Sequence, residues 1–485
     1  MRVYDRLFID GDWVKSTGSE TIEVISPGTE EPIGTVPAST EADIDAAVAA
    51  ARRAFDSGPW PRTSPAERAD LLAGVSATIQ ARSEEIARTI TEQNGSPISW
   101  SLMGQVFSAT MVLDYYVGLA RELPFEEVRA GVMGPAVVRR EPVGVVGAIV
   151  PWNVPLFVAM LKLAPALVAG CTVVLKPAPE TPLDANVLAE ILAEAGLPPG
   201  VVNVVPAGRE VGEHLVTHPD VDKIGFTGST AAGKRIAALC GERLKRVTLE
   251  LGGKSAAIVL PDANIEEVAA GLLPASLMNN GEACVAQTRI LAPRDQYQQL
   301  VDELCERVGA MAVGDPLDPV TEIGPLVTSR QRDRVEGYIA AGQEEGAKVA
   351  LGGGRPSGLS KGWYVEPTVF VDVDNRMRIA QEEIFGPVLA VIPYGEVDEA
   401  VSIANDSTYG LSGTVWTADV DRGLDIARRV RTGTYTVNGF MLEFGAPFGG
   451  YKESGIGREL GPEGLAGYLE YKSVSLPAGW TPPAG

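Results

Sequence analysis

The sequence predicts an α/β protein with a doubly wound parallel sheet, joined to a second α/β unit. From Val143 onward, short runs of β-branched residues alternate with helical segments through five successive strands, as a parallel sheet with crossover helices requires. A second alternation opens at SAAIVL, Ser255 to Leu260. A chain of 485 residues is also too long for one core, and at roughly 150 residues per domain it makes two or three.

The elements follow from local chemistry. The start, MRVYDRLFIDGDW, reads as strand-like, and helices then dominate to about residue 140. Ser64-Pro65-Ala66-Glu67 is a capping box with proline at the first helical position, and Thr40 to Asp43 offers a similar start. These helices are amphipathic, carry no chemical motif and read as scaffold. The strand VGVVGAIV then precedes a helix from Leu156 to Ala169, and TVVL precedes TPLDANVLAEILAEAG, a helix capped by Thr181, entered at Pro182 and closed at Gly196. VVNVV, a short helix near Val211, the strand VDKIGFT, the helix TAAGKRIAAL and the strand RVTLEL complete the sheet. The second unit carries Cys284, RILAP, a helix from Gln296 to Met311, and strands near Trp363 to Val373 and Val388 to Pro393. Gly352, Gly353 and Gly354 read as a hairpin turn, and the glycine-rich GTYTVNGF and APFGGYKESGIGRELG as loops lining a site.

A hydrophobic share of 45% and a charged share of 21% are ordinary globular values. With 41 Lys plus Arg against 63 Asp plus Glu, the net charge of −22 repels polyanions, so neither nucleic acid nor an anionic membrane is expected as a partner. The N-terminus has charges where a secretory signal needs an apolar run. The most apolar region, Val143 to Leu175, is broken by Pro151, Asn153, Pro155, Lys162 and Pro165 before it reaches the ~18 residues of a membrane span. Cys171, Cys240, Cys284 and Cys305 show no paired framework, which fits a reducing cytoplasm.

In open parallel sheets ligands bind beyond the carboxyl ends of the strands. Those positions hold Pro151-Trp152-Asn153, Lys176-Pro177, Gly208, Gly228-Ser229 and Glu250-Leu251-Gly252-Gly253. Gly228 to Lys234 is a strand-to-helix turn whose N–H groups suit phosphate, but Arg235 stands where a P-loop needs a hydroxyl, which disfavours an ATPase; G-x-G-x-x-G is absent. Taken alone, Lys176 is either a ribose or phosphate contact or a solvated lysine, and Asn153 either an oxyanion donor or a turn asparagine. Glu250 is either a general base raised by burial or an ion-paired strand end. His214 and His218 are the only histidines, read as surface helix residues; no metal site is expected, and Ser-His-Asp and Cys-His mechanisms are disfavoured. Cys284, in NNGEACVAQTR, sits among small, partly polar neighbours, an environment that suits a reacting thiol.

Together PWNVP at Pro151, LKPAPETP around Lys176, FTGST at Phe226, ELGGKS at Glu250, NNGEACVAQTR, EEIFGPV at Glu382 and PFGGYKESGIGRE at Pro447 closely resemble the aldehyde dehydrogenase superfamily, in the family's order and over nearly the whole chain. The resemblance implies an NAD(P)-binding domain (1-122 and 142-252), a catalytic domain (253-440), a glycine-rich segment near the active site (441-467) and a small β oligomerisation element (123-141 and 468-485). That element is a hairpin near Leu123 to Glu141 with a strand near Tyr468 to Pro477, so a homodimer or homotetramer is expected.

The resemblance further implies that Cys284 attacks the aldehyde to give a thiohemiacetal, that Asn153 and the Cys284 N–H hold the oxyanion, and that hydride transfer leaves a thioester which water activated by Glu250 hydrolyses. Lys162 matches the family's lysine near the water path. Lys176 would meet the adenosine ribose, Ser229 the pyrophosphate, and Glu383 with Phe385 the nicotinamide ribose and ring. Ile149, Pro151, Trp152, Gly208, Gly212, Phe226, Gly228 and Leu251 complete the cofactor positions. Many NAD-preferring relatives have Glu three residues after the lysine; Pro179 stands there with Glu180 next, so NAD or NADP is expected, with NAD slightly favoured. Glu282 replaces a frequent Gln beside the nucleophile. The tunnel positions Val154, Phe157, Val158, Leu161, Ala283, Val285, Met441, Leu442 and Phe448 are apolar, with Glu443 the nearby exception, which implies a neutral, hydrophobic aldehyde. Glu250 disfavours the rival CoA-acylating type, and intact Asn153, Glu250 and Cys284 disfavour a silent structural protein.

Overall fold

The computed structural model describes residues 1–480; residues 481–485, the end of the expected oligomerisation element, lie outside the described residues. Five parallel strands form the centre of an eight-stranded sheet: β1 (Val145–Ile149), β2 (Thr172–Lys176), β3 (Val202–Val204), β4 (Lys223–Thr227) and β5 (Arg246–Glu250). Their spatial order is β5-β4-β1-β2-β3, with the order reversing at β1, so a crevice opens there. Leu7–Ile9 and Asp12–Val14 add antiparallel beyond β3, and Gly455–Ile456 adds antiparallel beyond β5. β1 and β2 are buried along their whole length, which explains why they read as continuous apolar runs rather than alternating ones.

The helices α1 (Pro155–Ala169), α2 (Leu183–Glu194), α3 (Arg209–Thr217) and α4 (Thr230–Glu242) connect these strands. Both capping boxes form, Thr40 with Asp43 and Ser64 with Glu67. Thr181 does not cap α2. Pro182 occupies the cap position without a side-chain bond, and the Thr181 hydroxyl is buried without a partner among the described residues; Gly196 beyond the helix is left-handed at φ +76°, a conformation suited to glycine.

In the first turn of α2, burial pushes the Asp184 carboxyl up to about 7, against the lowering effect of the 2.6 Å bond donated by Gln93 Nε2. A raised folded-state value means that this group's stability is present below the ordinary carboxylate range, about 4, and is lost as pH rises through about 7. Asp184→Asn keeps the acceptor for Gln93 and is expected to melt higher than wild type at pH 8 but not at pH 4.5. Equal pH dependence of the two melting temperatures would refute this.

The second sheet has seven strands, with β6 (Ala256–Val259) and β7 (Arg289–Pro293) side by side and parallel near its centre. The three glycines do not make a tight hairpin. Lys348–Leu351 pairs antiparallel with Thr368–Val371 across the long connection 352–367, where Gly352 and Gly353 take left-handed conformations. A separate antiparallel sheet joins Glu126–Arg129, Ala136–Pro142 and Leu469–Ser475. It leaves Val128, Tyr471 and Val474 exposed, and Val132 and Met133 at the hairpin tip. Among the described residues no helix is long and apolar enough to cross a membrane.

Candidate active site

The register of the first sheet sets the site. Ile149 pairs with Lys176 and with Phe226, and Thr227 pairs with Glu250, so the row of carboxyl ends carries all of these along one edge. The chain leaves β5 at Glu250, crosses to β6 through Leu251-Gly252-Gly253, and passes against the loop bearing Cys284. A Cβ on Gly253 would fall 2.4 Å from the Cys284 carbonyl oxygen, and one on Gly252 would fall 2.5 Å from Glu383 Oε2. At Gly253 the neighbour is main chain, so that approach needs glycine, whereas at Gly252 the Glu383 carboxylate would have to swing aside.

Between the two sheets lies a cavity of about 440 Å³. Its walls include Cys284 and Asn153, with Pro151, Trp152, Val154 and Val158 from β1 and α1. Gly228, Ser229 and Leu251 line it from β4 and β5, and Glu383 and Phe385 close it from the second unit. The Trp152 and Phe385 rings meet edge to face at 5.3 Å. Ser229 caps α4 by accepting from the Ala232 N–H, so the positive end of that helix faces the cavity.

The other expected residues lie around this cavity rather than on it. Lys176 is buried and donates to the Pro177 and Ala207 carbonyls, with burial bringing its amine down to about 8; Gly212 lies against its aliphatic stem. Gly208 is exposed at the start of α3, and Ile149 and Phe226 pack in the core. Phe157, Leu161, Val285, Leu442 and Phe448 share one apolar cluster with Val154, Val158 and Cys284, and Phe444 joins them. Met441 does not. It is 73% exposed because the 441–446 segment turns it outward to solvent, and it contributes nothing to that cluster in this conformation. Ala283 is half-buried beside the thiol but lies outside the cluster. His214 and His218 both approach Asp45, at 2.6 and 3.4 Å, and only His214 is helical; His218 follows the end of α3.

The titrating groups lie close enough to perturb one another. Burial pushes the Cys284 thiol up to about 12, with Glu383 and Glu250 adding to the effect. Glu250 is 2% exposed and neither of its oxygens has a hydrogen-bond partner among the described residues. Burial, then repulsion from Glu459, hold its carboxyl well above the usual range, while Lys162 and Arg458 pull the other way. Lys162 is fully buried, 2.7 Å from Glu459 and donating at 2.6 Å to Thr227 Oγ1. A carboxylate with free lone pairs and a raised pKa is able to take a proton from water near neutrality.

Several residues at the site were missed by sequence reasoning. Thr227 also lines the cavity, as do Arg330, Gln331 and Arg334 on helix α5 (Ser329–Glu344); Gly252, on the lining too, stands at one of the expected strand-end positions. Gln331 and Arg334 hold the 383–385 segment by donating to the Phe385 carbonyl at 2.6 Å and the Glu383 carbonyl at 2.5 Å. Glu459 lies within a motif that was noticed, and the need of a buried Lys162 for a counter-charge is the signal that could have singled it out. Glu282 is buried, its carboxylate accepts the Val327 N–H, and burial pushes that carboxyl well up.

A doubly wound sheet facing a second α/β unit across such a cavity defines an α/β enzyme of the dinucleotide-binding class. Residues 13–474 match the model of the aldehyde dehydrogenase family. The chain is 51% identical to a geranial dehydrogenase from Castellaniella defragrans over 98% of its own length and 99% of that protein's. It superposes with TM-score 0.98 on a Mycobacterium tuberculosis aldehyde dehydrogenase complexed with NAD+, at 52% identity and 99% coverage of both chains. A mutant of aldehyde dehydrogenase C from Pseudomonas syringae, in complex with NAD+ and octanal, superposes with TM-score 0.95 at 42% identity, over 97% of this chain and 96% of that one. The protein belongs to the aldehyde dehydrogenase family and is an oxidoreductase acting on aldehydes.

Proposed function

We propose that this protein oxidises neutral, hydrophobic aldehydes to carboxylic acids with NAD or NADP, through a covalent thioester on Cys284. The observation that carries the reading is that Cys284 and Asn153 line one cavity with Leu251 and Gly252, while the adjoining Glu250 is buried with both oxygens free of partners among the described residues. The fit of a dinucleotide rests on the cavity beyond the sheet edge: a Cβ on Gly228 would strike the Phe226 ring at 2.6 Å, so glycine there keeps the backbone close-packed where the helix end faces the cavity. Ser229, Trp152, Glu383 and Phe385 would hold the pyrophosphate and nicotinamide portions, and Lys176 the adenosine ribose. When bound, the oxidised nicotinamide accepts the hydride.

The chain's own groups do the rest. Cys284 gives up its thiol proton to solvent and its Sγ bonds to the aldehyde carbon as the C=O π pair moves to oxygen, and the Asn153 amide and Cys284 N–H stabilise that oxyanion. Once the carbon is oxidised, Glu250 takes a proton from water, which displaces the thiol and frees the acid. Buried Lys162 steadies the carboxylates of Glu459 and Glu250. The apolar cluster beside the thiol favours uncharged substrates, and the relative named for geranial and the neighbour holding octanal support that class. Pro179 and Glu180 leave both cofactors open, and the NAD+ complexes among structural neighbours favour NAD. The bounds 1-122 with 142-252, 253-440 and 441-467 separate the two domains and the glycine-rich segment, and 123-141 with 468-485 supplies pairing edges for a cytoplasmic homodimer or homotetramer.

Reduced-cofactor absorbance with NAD or NADP against octanal, a charged semialdehyde and a quaternary-amine aldehyde tests the reading. Octanal is expected to give the highest kcat/KM; a preference for a charged substrate would overturn the substrate class.

A further inference from the structure

The Asn153 backbone carbonyl is the focus of an arrangement that no motif announces. Three side-chain amides from three separate parts of the chain converge on this one oxygen: Asn94 Nδ2 at 3.0 Å, Gln105 Nε2 at 3.1 Å and Asn279 Nδ2 at 3.1 Å. All three residues are buried. The Asn153 amide itself donates at 2.8 Å to the Glu282 carbonyl, which also accepts from Asn279 Nδ2 at 3.1 Å. Each partner is oriented in turn: Asn94 Oδ1 accepts the Ser96 N–H, and Asn279 Oδ1 accepts from the Ser96 hydroxyl. Turning the amide of Asn279 or Gln105 around would set carbonyl oxygens against one another, so the orientation is fixed by the contacts.

The fold accepts several local costs to make this convergence. Gln105 lies in a π-helical turn, Ser101–Phe107, interrupting an otherwise α-helical course, and its Oε1 is buried with no partner among the described residues. Asn279 and Asn280 are consecutive left-handed residues at φ 51° and 60°. An apolar side chain at 105 would remove the unpaired oxygen. Local costs that point at one atom beside a reactive thiol are the pattern expected of a site being held rather than of a core being packed.

We propose that Asn94, Gln105 and Asn279 form a clamp of positioning residues that fixes Asn153, so that one amide N–H is tied to Glu282 and the other stays aimed where the substrate oxygen becomes anionic. The proposal rests on the reading of Asn153 as the oxyanion donor. Fixing the main chain at Asn153 leaves its side chain only the torsions that the bond to Glu282 already sets. The clamp also joins the thiol-bearing loop to the first domain, since Asn279 reaches Asn153 and Ser96 together. Its atoms touch neither substrate nor cofactor.

The test is a double-mutant cycle in the full-length protein, with octanal as substrate. Gln105→Met is expected to lower kcat by roughly tenfold to a hundredfold, as a displaced oxyanion donor would, with NAD affinity, melting temperature and the rate of Cys284 alkylation by iodoacetamide unchanged, because alkylation builds no oxyanion. Asn153→Ala retains measurable activity, since losing one such donor costs roughly 10²–10³. In that background Gln105→Met is expected to change kcat less than twofold. Should methionine prevent folding, Gln105→Asn, one methylene shorter, withdraws the same donor and is expected to show the same pattern. A kcat within twofold of wild type for the single variant, or an equal loss in the Asn153→Ala background, overturns the clamp. An undiminished kcat for Asn153→Ala alone overturns the oxyanion reading instead.

Discussion

Replacing Cys284 by alanine is expected to abolish aldehyde-dependent formation of reduced cofactor while NAD still binds. The loss in kcat is expected on the order of 10⁶, the scale seen when a covalent nucleophile is removed. The physical basis is that no other thiol reaches the cavity: Cys171 and Cys240 are buried in the two cores on either face of the first sheet, and Cys305 packs on the second sheet. A second consequence concerns pH. Burial and the nearby Glu383 and Glu250 push the thiol up to about 12, so in the cofactor-free protein the thiolate is scarce at neutral pH. Iodoacetamide labelling of Cys284 is therefore expected to accelerate steadily from pH 7 to pH 10. Retained turnover in the alanine variant, followed by absorbance, would defeat the covalent mechanism; labelling that plateaus below pH 8 would defeat the description of the thiol.

Glu250→Gln is expected to separate the two halves of the reaction. Glutamine fills nearly the same volume but cannot take a proton from water, so the first turnover proceeds as a burst and later turnovers slow by roughly 10²–10⁴. The direction with pH follows from the environment. Burial and Glu459 hold the Glu250 carboxyl well above its ordinary range, and a base works only when deprotonated, so thioester hydrolysis in the wild type rises as pH rises through that value. Acidification should let acyl-enzyme accumulate, seen as added mass on Cys284 after rapid quenching. The glutamine variant should carry that mass at every pH. A variant with wild-type steady-state rate and no acyl adduct would remove Glu250 from the mechanism.

Much of this arrangement was legible before the fold was known, for a definite reason. Trp152, Asn153, Lys176, Ser229 and Glu250 each lie at or just beyond the end of an apolar strand, and in a parallel sheet strand ends share one edge. Gln105, Asn279, Gln331 and Arg334 were not legible as partners, because they come from remote segments and ordinary polar residues carry no mark of what they will meet; Glu459 was open only to the argument that a buried Lys162 needs a counter-charge. Thr181 misled for a related reason: Thr-Pro before a helical run has the composition of a cap, but cap geometry depends on backbone angles, and Pro182 took that place. Gly352 to Gly354 have the composition of a tight turn, yet the chain runs on to residue 367 before the partner strand begins. Met441 lies in an apolar pattern that does not reveal which side of the loop faces water.

The edge strand Gly455–Ile456, paired with Leu249 and Glu250, has a bearing on biogenesis. A ribosome must translate through residue 459 before β5 gains its outer neighbour and Lys162 its counter-ion at Glu459. Until then Glu250, at the end of β5, lacks the strand that pairs beside it, so its buried surroundings are complete only once residues 455–459 have been made.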